Sequence, residues 1–135
     1  MQVLVSWLRE LVPTDASAAE LARRLTLSGL EVEAEDRLDA GLEMVVVAEV
    51  RERNRIEGTK LSVCKVFDGT VERQVVCGAD NYAAGDRVPL AKPGAVLPDG
   101  KAIGKAKLRG HESEGMLCGG VELGADDGVD GLLQL

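Results

Sequence analysis

From residue 44 onward, apolar side chains alternate with polar ones or come in short runs separated by glycine and proline. A period of two is that of a β-strand, because successive side chains of a strand point to opposite faces. The sequence therefore predicts strands over 44–50, 61–67, 71–77, 87–91, 105–109, 116–118 and 131–135. Asp68 and Gly69 have the composition of a hairpin turn between the second and third of these strands.

The number and spacing of these strands indicate the fold class. Short strands joined by Gly and Pro turns, with almost no helix, are typical of a small closed barrel of the OB-fold type. A small sandwich is the alternative. We therefore predict a mainly β protein, an OB-fold β-barrel, with a small α+β unit at its N-terminus.

The N-terminal unit follows a helical period instead. Ser6 is the predicted N-cap of a helix over 7–12, with Trp7 and Leu11 on its buried side. Pro13 ends this helix.

A second helix is predicted over 18–28. Ser17 and Glu20 have the spacing of a capping box, and Gly29 is a C-terminal signal. Apolar residues then alternate with glutamates over 30–35, which predicts an exposed strand.

A polar connector over 36–41 is the predicted domain boundary. Residues 1–38 form the N-terminal unit, and residues 39–135 form the barrel. Two short helices and one strand are too little to bury their own apolar face. We therefore expect the apolar face of the N-terminal unit to pack against the barrel or against polypeptide that this sequence does not include.

Composition narrows the function classes. Aromatic residues make up only 2% of the chain, so a protein that stacks bases on aromatic platforms is not indicated. Three cysteines in apolar strands predict reduced, buried thiols rather than disulfides. No apolar run has the length of a membrane span and no signal peptide opens the chain, so we expect a cytoplasmic protein.

The net charge of −7 is unevenly distributed. Residues 1–50 hold 4 basic and 10 acidic side chains, residues 51–111 hold 12 and 7, and residues 112–135 hold none and 6. Because salt screens charges beyond about 10 Å, the cationic middle section decides attraction for phosphates. The overall charge therefore does not exclude a nucleic-acid partner.

The cationic section supplies candidate phosphate ligands. Lys105, Lys107 and Arg109 alternate with Ala106 and Leu108, so the three cations are predicted on one face of a strand. Two further cations, Lys60 and Lys65, complete the candidate set. The alternative is a solvated edge strand whose lysines discourage aggregation.

Three polar residues of predicted loops are candidates for contacts to RNA: Asn81, Ser113 and Glu114. Their amide, hydroxyl and carboxylate groups have the chemistry to bind a base edge or a 2′-hydroxyl. Ordinary turn chemistry is the alternative, since Asn and Ser readily bond nearby backbone.

No cluster indicates catalysis or metal binding. His111, the only histidine, has no nucleophile at a defined spacing, and no cysteine pair has the spacing of zinc ligands. Asp126, Asp127 and Asp130 do not fit a calcium loop and predict an acidic turn. We therefore assign no catalytic or metal residues.

The order of the segments resembles a known family. Residues 5–12 and 25–33 are similar to the opening of bacterial phenylalanyl-tRNA synthetase beta subunits. The barrel resembles the OB-fold tRNA-binding domain of that subunit in residues 58–61, 76–81, 88–98, 107–118, 122–124 and 131–135. This resemblance covers nearly the whole chain, in order.

The resemblance implies a non-catalytic tRNA-binding module. Its implied partners are tRNA, the synthetase alpha subunit and the remainder of the beta subunit, and ATP and magnesium would bind elsewhere in the whole enzyme. The eight candidate residues are then tRNA-binding positions. The alternative is an OB domain that docks subunits or forms a homo-oligomer, without direct contact to tRNA.

Overall fold

The computed structural model describes residues 1–125 and 128–135. The chain folds as two units, Met1–Leu38 and Asp39–Leu135. The first contains helices α1 (Val5–Leu11) and α2 (Ala18–Leu27). The second contains strands β1 (Val45–Arg55), β2 (Ser62–Phe67), β3 (Glu72–Cys77), β4 (Arg87–Ala91), β5 (Lys105–Leu108), β6 (His111–Glu114) and β7 (Met116–Leu117), followed by a 3₁₀ turn at Val121–Leu123.

Helix α2 begins at Ala18, as predicted, but the structure shows only the Ser17 half of the predicted capping box. The Glu20 N–H donates to the Ser17 hydroxyl over 3.2 Å, which satisfies one of the free donors of the first turn. The Glu20 carboxylate lies 2.5 Å from Arg24 one turn later, so it makes an i,i+4 ion pair. Gly29 has a φ of 97° just after the helix, where a left-handed residue closes the final turn.

Three predictions for the first unit are wrong. Helix α1 is capped by Leu4 without a side-chain hydrogen bond, rather than by Ser6. Trp7 is 64% exposed, and no residue of Val5–Leu11 is buried. Residues 30–35, all of them described, form no strand. A strand needs a partner for its backbone groups, and this short unit supplies none.

The second unit is built on a five-stranded antiparallel sheet in the order β3-β2-β1-β4-β7. Strand β1 is eleven residues long and pairs with β2 through its second half and with β4 through its first. The sheet curls nearly into a closed barrel of the OB type, as predicted. Its interior is filled by small and branched side chains, among them Ala48, Val50, Cys64, Val66, Val75, Val88 and Leu90, all 0% exposed.

A β-bulge in β1 exchanges the two faces of that strand. Ala48 and Val50 face the core, but the register shifts between Val50 and Glu52. Beyond the bulge, Arg53 lies opposite the buried Cys64. Because the extra residue changes the alternation, an arginine occupies the face that apolar residues occupy before it.

Strands β5 and β6 form a separate hairpin that lies beside β3. The Val76 N–H donates to the Ser113 hydroxyl over 3.0 Å, and the Gln74 amide donates to the Glu112 carbonyl over 2.9 Å. The prediction that Ser113 and Glu114 lie in a loop is therefore wrong, because both belong to β6. Arg109 and Gly110 have φ values of 51° and 82°, so a two-residue turn of type I′ sends the chain straight back as a strand.

The link between β6 and β7 is unusually close to β4. Gly115 has a φ of 116°, and a Cβ built on it would lie 2.4 Å from the Ala91 carbonyl oxygen. Since Met116 pairs with Ala91 in the next ladder position, the backbone there has no room to retreat. Only glycine fits this position.

The predicted strand at 131–135 is absent, although these residues are described. The Leu133 N–H donates to the Cys118 carbonyl and the Leu135 N–H to that of Arg87, over 3.2 and 3.0 Å. The backbone of Leu132 bonds the Asn81 side chain instead of a strand. The predicted acidic turn begins with Asp126 and Asp127, which lie outside the described residues.

The hairpin turn predicted at Asp68 is confirmed, and its carboxylate organises it. Oδ1 accepts from the Thr70 and Val71 N–H groups, each over 2.9 Å, and Oδ2 from Arg73 Nε over 2.7 Å. The pKa of the Asp68 carboxyl is held well below its usual range, mainly by the hydrogen bond from the Val71 N–H and then by those from Arg73 and Thr70. The ionised form therefore stabilises the β2–β3 turn.

We expect stability to fall in acid through this carboxylate. A group whose pKa is depressed by folding stabilises the native state above its unfolded pKa of about 4, and this contribution disappears as pH falls towards the folded pKa. Asp68→Asn should lower the free energy of unfolding at pH 7 by about 2 kcal/mol, with a difference that shrinks below pH about 4. Urea denaturation across pH measures both effects. Asp99→Asn is the control, since Asp99 is exposed and accepts one backbone bond, from Lys101.

Candidate functional site

The charged face of the β5–β6 hairpin is mixed rather than cationic. Lys105 lies opposite Glu114 and Lys107 opposite Glu112, and directly opposed residues of a hairpin share a face. Lys105 Nζ is 3.3 Å from Glu114, whose other oxygen is 3.6 Å from Arg73. The structure thus places acidic residues from the last section of the sequence among the predicted phosphate ligands.

The other face of the hairpin lines an open groove of about 600 Å³. Ala106 and Leu108 belong to this lining, which fits the prediction that they point away from the lysines. Leu108 is 42% exposed, so this face borders open space rather than packed core. The opposite walls come from the β1–β2 loop, the end of β3 and the C-terminal segment, through Leu61, Val76, Ala79, Asp130, Gly131 and Leu132.

Four exposed cations lie in or near the groove, whose lining also contains Glu122 and Asp130; one of the four, Lys107, is on the hairpin face that points away from the groove. Lys101 lines it, Lys60 precedes the lining residue Leu61, and Lys107 and Arg109 flank the lining residue Leu108. No ion pair involves any of these four within residues 1–125 and 128–135. Lys65 differs, because its ammonium lies 3.7 Å from Glu52.

Arg109 has an unfavourable backbone conformation at the tip of the hairpin. Its φ of 51° makes it the only described residue other than glycine with a positive φ. This left-handed conformation costs an ordinary side chain about 1–2 kcal/mol, and type I′ turns prefer Asn, Asp or Gly at this position. Arginine is therefore an uncommon residue for this position of the turn.

The predicted polar contacts, Asn81 and Ser113, have partners inside the barrel. Ser113 is 3% exposed; its hydroxyl accepts from the Val76 N–H and donates to the Gly115 carbonyl over 3.0 Å. The Asn81 amide donates to the Leu132 carbonyl and accepts from the Leu132 N–H, both over 2.8 Å. These two side chains hold the walls of the groove in place.

Arg53 is a residue of the site that sequence reasoning missed. Its guanidinium lies 4.4 Å from the centre of the Tyr82 ring and bonds the loop at residues 79–82. In the sequence, Arg51, Arg53 and Arg55 alternate with polar residues and resemble an exposed strand. The only signal was the loss of apolar alternation after Val50, which marks the bulge.

The three cysteines are free and buried, as predicted. Burial raises the pKa of the Cys64 thiol, whose sulfur lies 2.9 Å from the Tyr82 hydroxyl. Burial also raises the pKa of Cys118 to about 11. Since the thiolate is the reactive form, both thiols are inert near neutral pH.

Within 1–125 and 128–135, no three His, Cys, Asp or Glu side chains come together as a group that could hold a metal ion. Neither helix of the described chain is long and apolar enough to cross a membrane.

Comparison with known proteins gives consistent matches. The family model described as "Putative tRNA binding domain" matches residues 45–135. Phenylalanine–tRNA ligase beta subunits of Nitratidesulfovibrio vulgaris and Geobacter sulfurreducens are 49% and 47% identical over 100% of this chain and 17% of their own length. That of Streptococcus pneumoniae is 45% identical over 96% of the chain and 16% of its own length.

The chain therefore spans about a sixth of the length of these relatives. Its barrel, the groove and the β5–β6 hairpin all lie within the segment that the family model matches. Through residues 45–135, the chain belongs to the tRNA-binding domain family.

Proposed function

We propose that this chain is a non-catalytic tRNA-binding module of a phenylalanine–tRNA ligase beta subunit. Its family and its full-length similarity to such subunits support this function. The module would hold tRNA while other parts of the ligase attach phenylalanine. Its partners would be the alpha subunit and the rest of the beta subunit, in the cytoplasm, with ATP and magnesium bound outside this chain.

The observation that carries the proposal is Arg109. A residue that costs folding energy at an exposed hairpin tip, with no ion pair in the described chain, is suited to binding a phosphate of a partner. Lys107 shares the hairpin, and Lys101 lies in the groove beside it. These cations would supply salt-dependent affinity with little sequence preference, since few aromatic side chains are present to stack on bases.

The remaining candidate residues have different roles in this proposal. Lys60 would contact phosphate at the opposite wall of the groove. Lys105 and Lys65 would contribute less, because Glu114 and Glu52 compensate their charges. Asn81 and Ser113 would hold the walls, and Glu114 would orient Lys105 and Arg73 rather than meet phosphate.

Arg109→Asn tests the proposal without endangering the fold. Asparagine tolerates the left-handed conformation, so stability should stay equal or rise by up to about 1 kcal/mol. Affinity for tRNA should fall about five- to tenfold, and the slope of log affinity against log salt should decrease by about one unit. Fluorescence anisotropy titrations with tRNA at several salt concentrations, beside thermal unfolding, measure these quantities.

Arg87→Gln is the matched control, since it removes one exposed charge from the start of β4. It should leave the salt slope unchanged. Equal losses in both variants, or unchanged binding by Arg109→Asn, would contradict the proposed site. If the unaltered chain does not bind tRNA at low salt, the docking alternative replaces the proposed function. The mass of the free chain in solution, measured beside the titration, reports self-association.

A further inference from the structure

The guanidinium group of Arg53 directs all of its hydrogen-bond donors to groups of the barrel. Nε donates to the Ser62 hydroxyl over 3.3 Å, and Nη2 reaches the Ala79 carbonyl and the Asp80 carboxylate over 3.2 and 3.1 Å. Nη1 donates to the Tyr82 carbonyl and, over 3.5 Å, to that of Asp80. An arginine has five N–H donors, and five acceptors surround this one, so no donor remains for a phosphate.

The bulge explains why an arginine reaches this place. Without the register shift after Val50, Arg53 would point to the opposite face of β1. With the shift, it faces the same side as Cys64, and its side chain is only 21% exposed. The planar group can therefore lie against the Tyr82 ring while its donors bind the loop at 79–82.

A second set of bonds continues from this loop to the C-terminal segment. The Asn81 side chain binds both backbone groups of Leu132, as a neighbouring strand would. The Gln134 amide donates to the Asn81 carbonyl. Gly131 lies close to the Asn81 side chain, since a Cβ built on Gly131 would be 2.3 Å from Asn81 Oδ1. Arg53 therefore fixes the loop to β1, and the loop in turn bonds the C-terminal segment, which Cys118 and Arg87 also hold through their backbone carbonyls.

The loop and the C-terminal segment both line the groove. Ala79 belongs to the loop, and Gly131 and Leu132 belong to the C-terminal segment. We propose that Arg53 is a positioning residue for RNA binding and makes no contact with RNA itself. It fixes the position of the groove wall formed by residues 79–82 and 131–134, and it acts on residues 131–134 through Asn81. This inference rests on the proposed tRNA-binding function.

Substitutions at Arg53 separate positioning from direct contact. Arg53→Gln removes the charge and the fork, whereas Arg53→Lys keeps the charge but loses the fork. Positioning predicts a similar loss of tRNA affinity in both variants, roughly tenfold, with an unchanged salt slope because no phosphate contact is lost. Direct contact predicts a slope lower by about one unit in Arg53→Gln and near-normal binding by Arg53→Lys, and either result would overturn the proposal.

Arg51→Gln is the matched control. Arg51 lies on the same strand, 5.3 Å from the centre of the Phe67 ring and 3.4 Å from Glu49. Arg51→Gln therefore removes an arginine that is also stacked on a ring but lies away from the groove. This variant should bind tRNA with unchanged affinity. Asn81→Ala removes only the bonds between the loop and Leu132. Because Arg53 and Asn81 act in series, the double variant Arg53→Gln with Asn81→Ala should bind tRNA only slightly more weakly than whichever single variant binds it less tightly.

Hydrogen exchange supplies a readout that does not require RNA. The Leu132 N–H, which Arg53 does not touch, should exchange roughly tenfold faster in Arg53→Gln, while the amides of β2 keep their rates. Unchanged exchange at Leu132 would refute the connection even if tRNA binding fails in the unaltered chain. If Arg53→Gln does not fold, the tRNA affinity, the salt slope and the hydrogen exchange are measured for Asn81→Ala instead. Unchanged affinity or a lower salt slope in Asn81→Ala would then overturn the proposal.

Discussion

Gly115→Ala should lower the free energy of unfolding by about 3–5 kcal/mol. A φ of 116° is essentially restricted to glycine, and forcing another residue into such a region costs about 1–3 kcal/mol. The added methyl group would also meet the Ala91 carbonyl oxygen at 2.4 Å and Leu90 Cδ1 at 3.2 Å. Overpacking of this kind adds about 1–3 kcal/mol. Urea denaturation followed by circular dichroism measures the change.

Gly104→Ala is the control for this substitution. A Cβ at Gly104 would meet no atom within 4 Å, and its φ lies outside the left-handed range. Its stability should change by less than about 0.5 kcal/mol, as at most surface positions. A loss below about 1 kcal/mol for Gly115→Ala would mean that the link between β6 and β7 moves away from β4, contrary to the packing described above.

Neutralising three cations without an ion pair in the described chain, Lys101 in the groove and Lys107 and Arg109 on the hairpin, should have the largest effect on binding. We expect the combined variant Lys101→Gln, Lys107→Gln and Arg109→Gln to bind tRNA roughly 100-fold more weakly at low salt, if each cation contributes about 1 kcal/mol. The slope of log affinity against log salt should decrease by about two to three units, because three phosphates lose their partners. Anisotropy titrations at several salt concentrations report both quantities.

The control for this variant carries the same change in net charge elsewhere. Arg51→Gln, Arg87→Gln and Lys92→Gln remove three cations from β1, from the start of β4 and from the residue after β4. This protein should keep its salt slope and lose affinity by less than about threefold, through long-range attraction alone. Equal losses in the two variants would show that net charge, and not the groove, governs binding.

Most of the barrel was predictable because its strands bury one face. Alternation or short apolar runs marked the first half of β1, β2 to β5 and β7, and Asp68 marked a hairpin turn through the chemistry of its side chain. Strand β6 gave no such signal. Its residues His111 to Glu114 are all polar, since only Ser113 is buried and it packs through a hydrogen bond rather than through apolar surface.

The candidate site was predictable only in part, because sequence position does not show what lies opposite in space. Charges counted along the chain made Lys105 and Lys107 part of a cationic section, yet pairing with β6 brings Glu114 and Glu112 to the same face. Arg53 was missed for a similar reason, since one extra residue in β1 exchanges its faces. Trp7 was assigned to a core that its own unit is too small to form.

The way in which β6 is attached to β3 has a consequence for the motions of the barrel. The five-stranded sheet is continuous through backbone hydrogen bonds, whereas the hairpin is joined to β3 by the side chains of Ser113 and Gln74 and by the ion pair of Arg73 with Glu114. Local opening requires least free energy where the fewest cooperative bonds must break. We therefore expect the hairpin, up to its anchor at Gly115, to open locally at a lower free energy than the strands of the sheet, and such an opening would widen the groove.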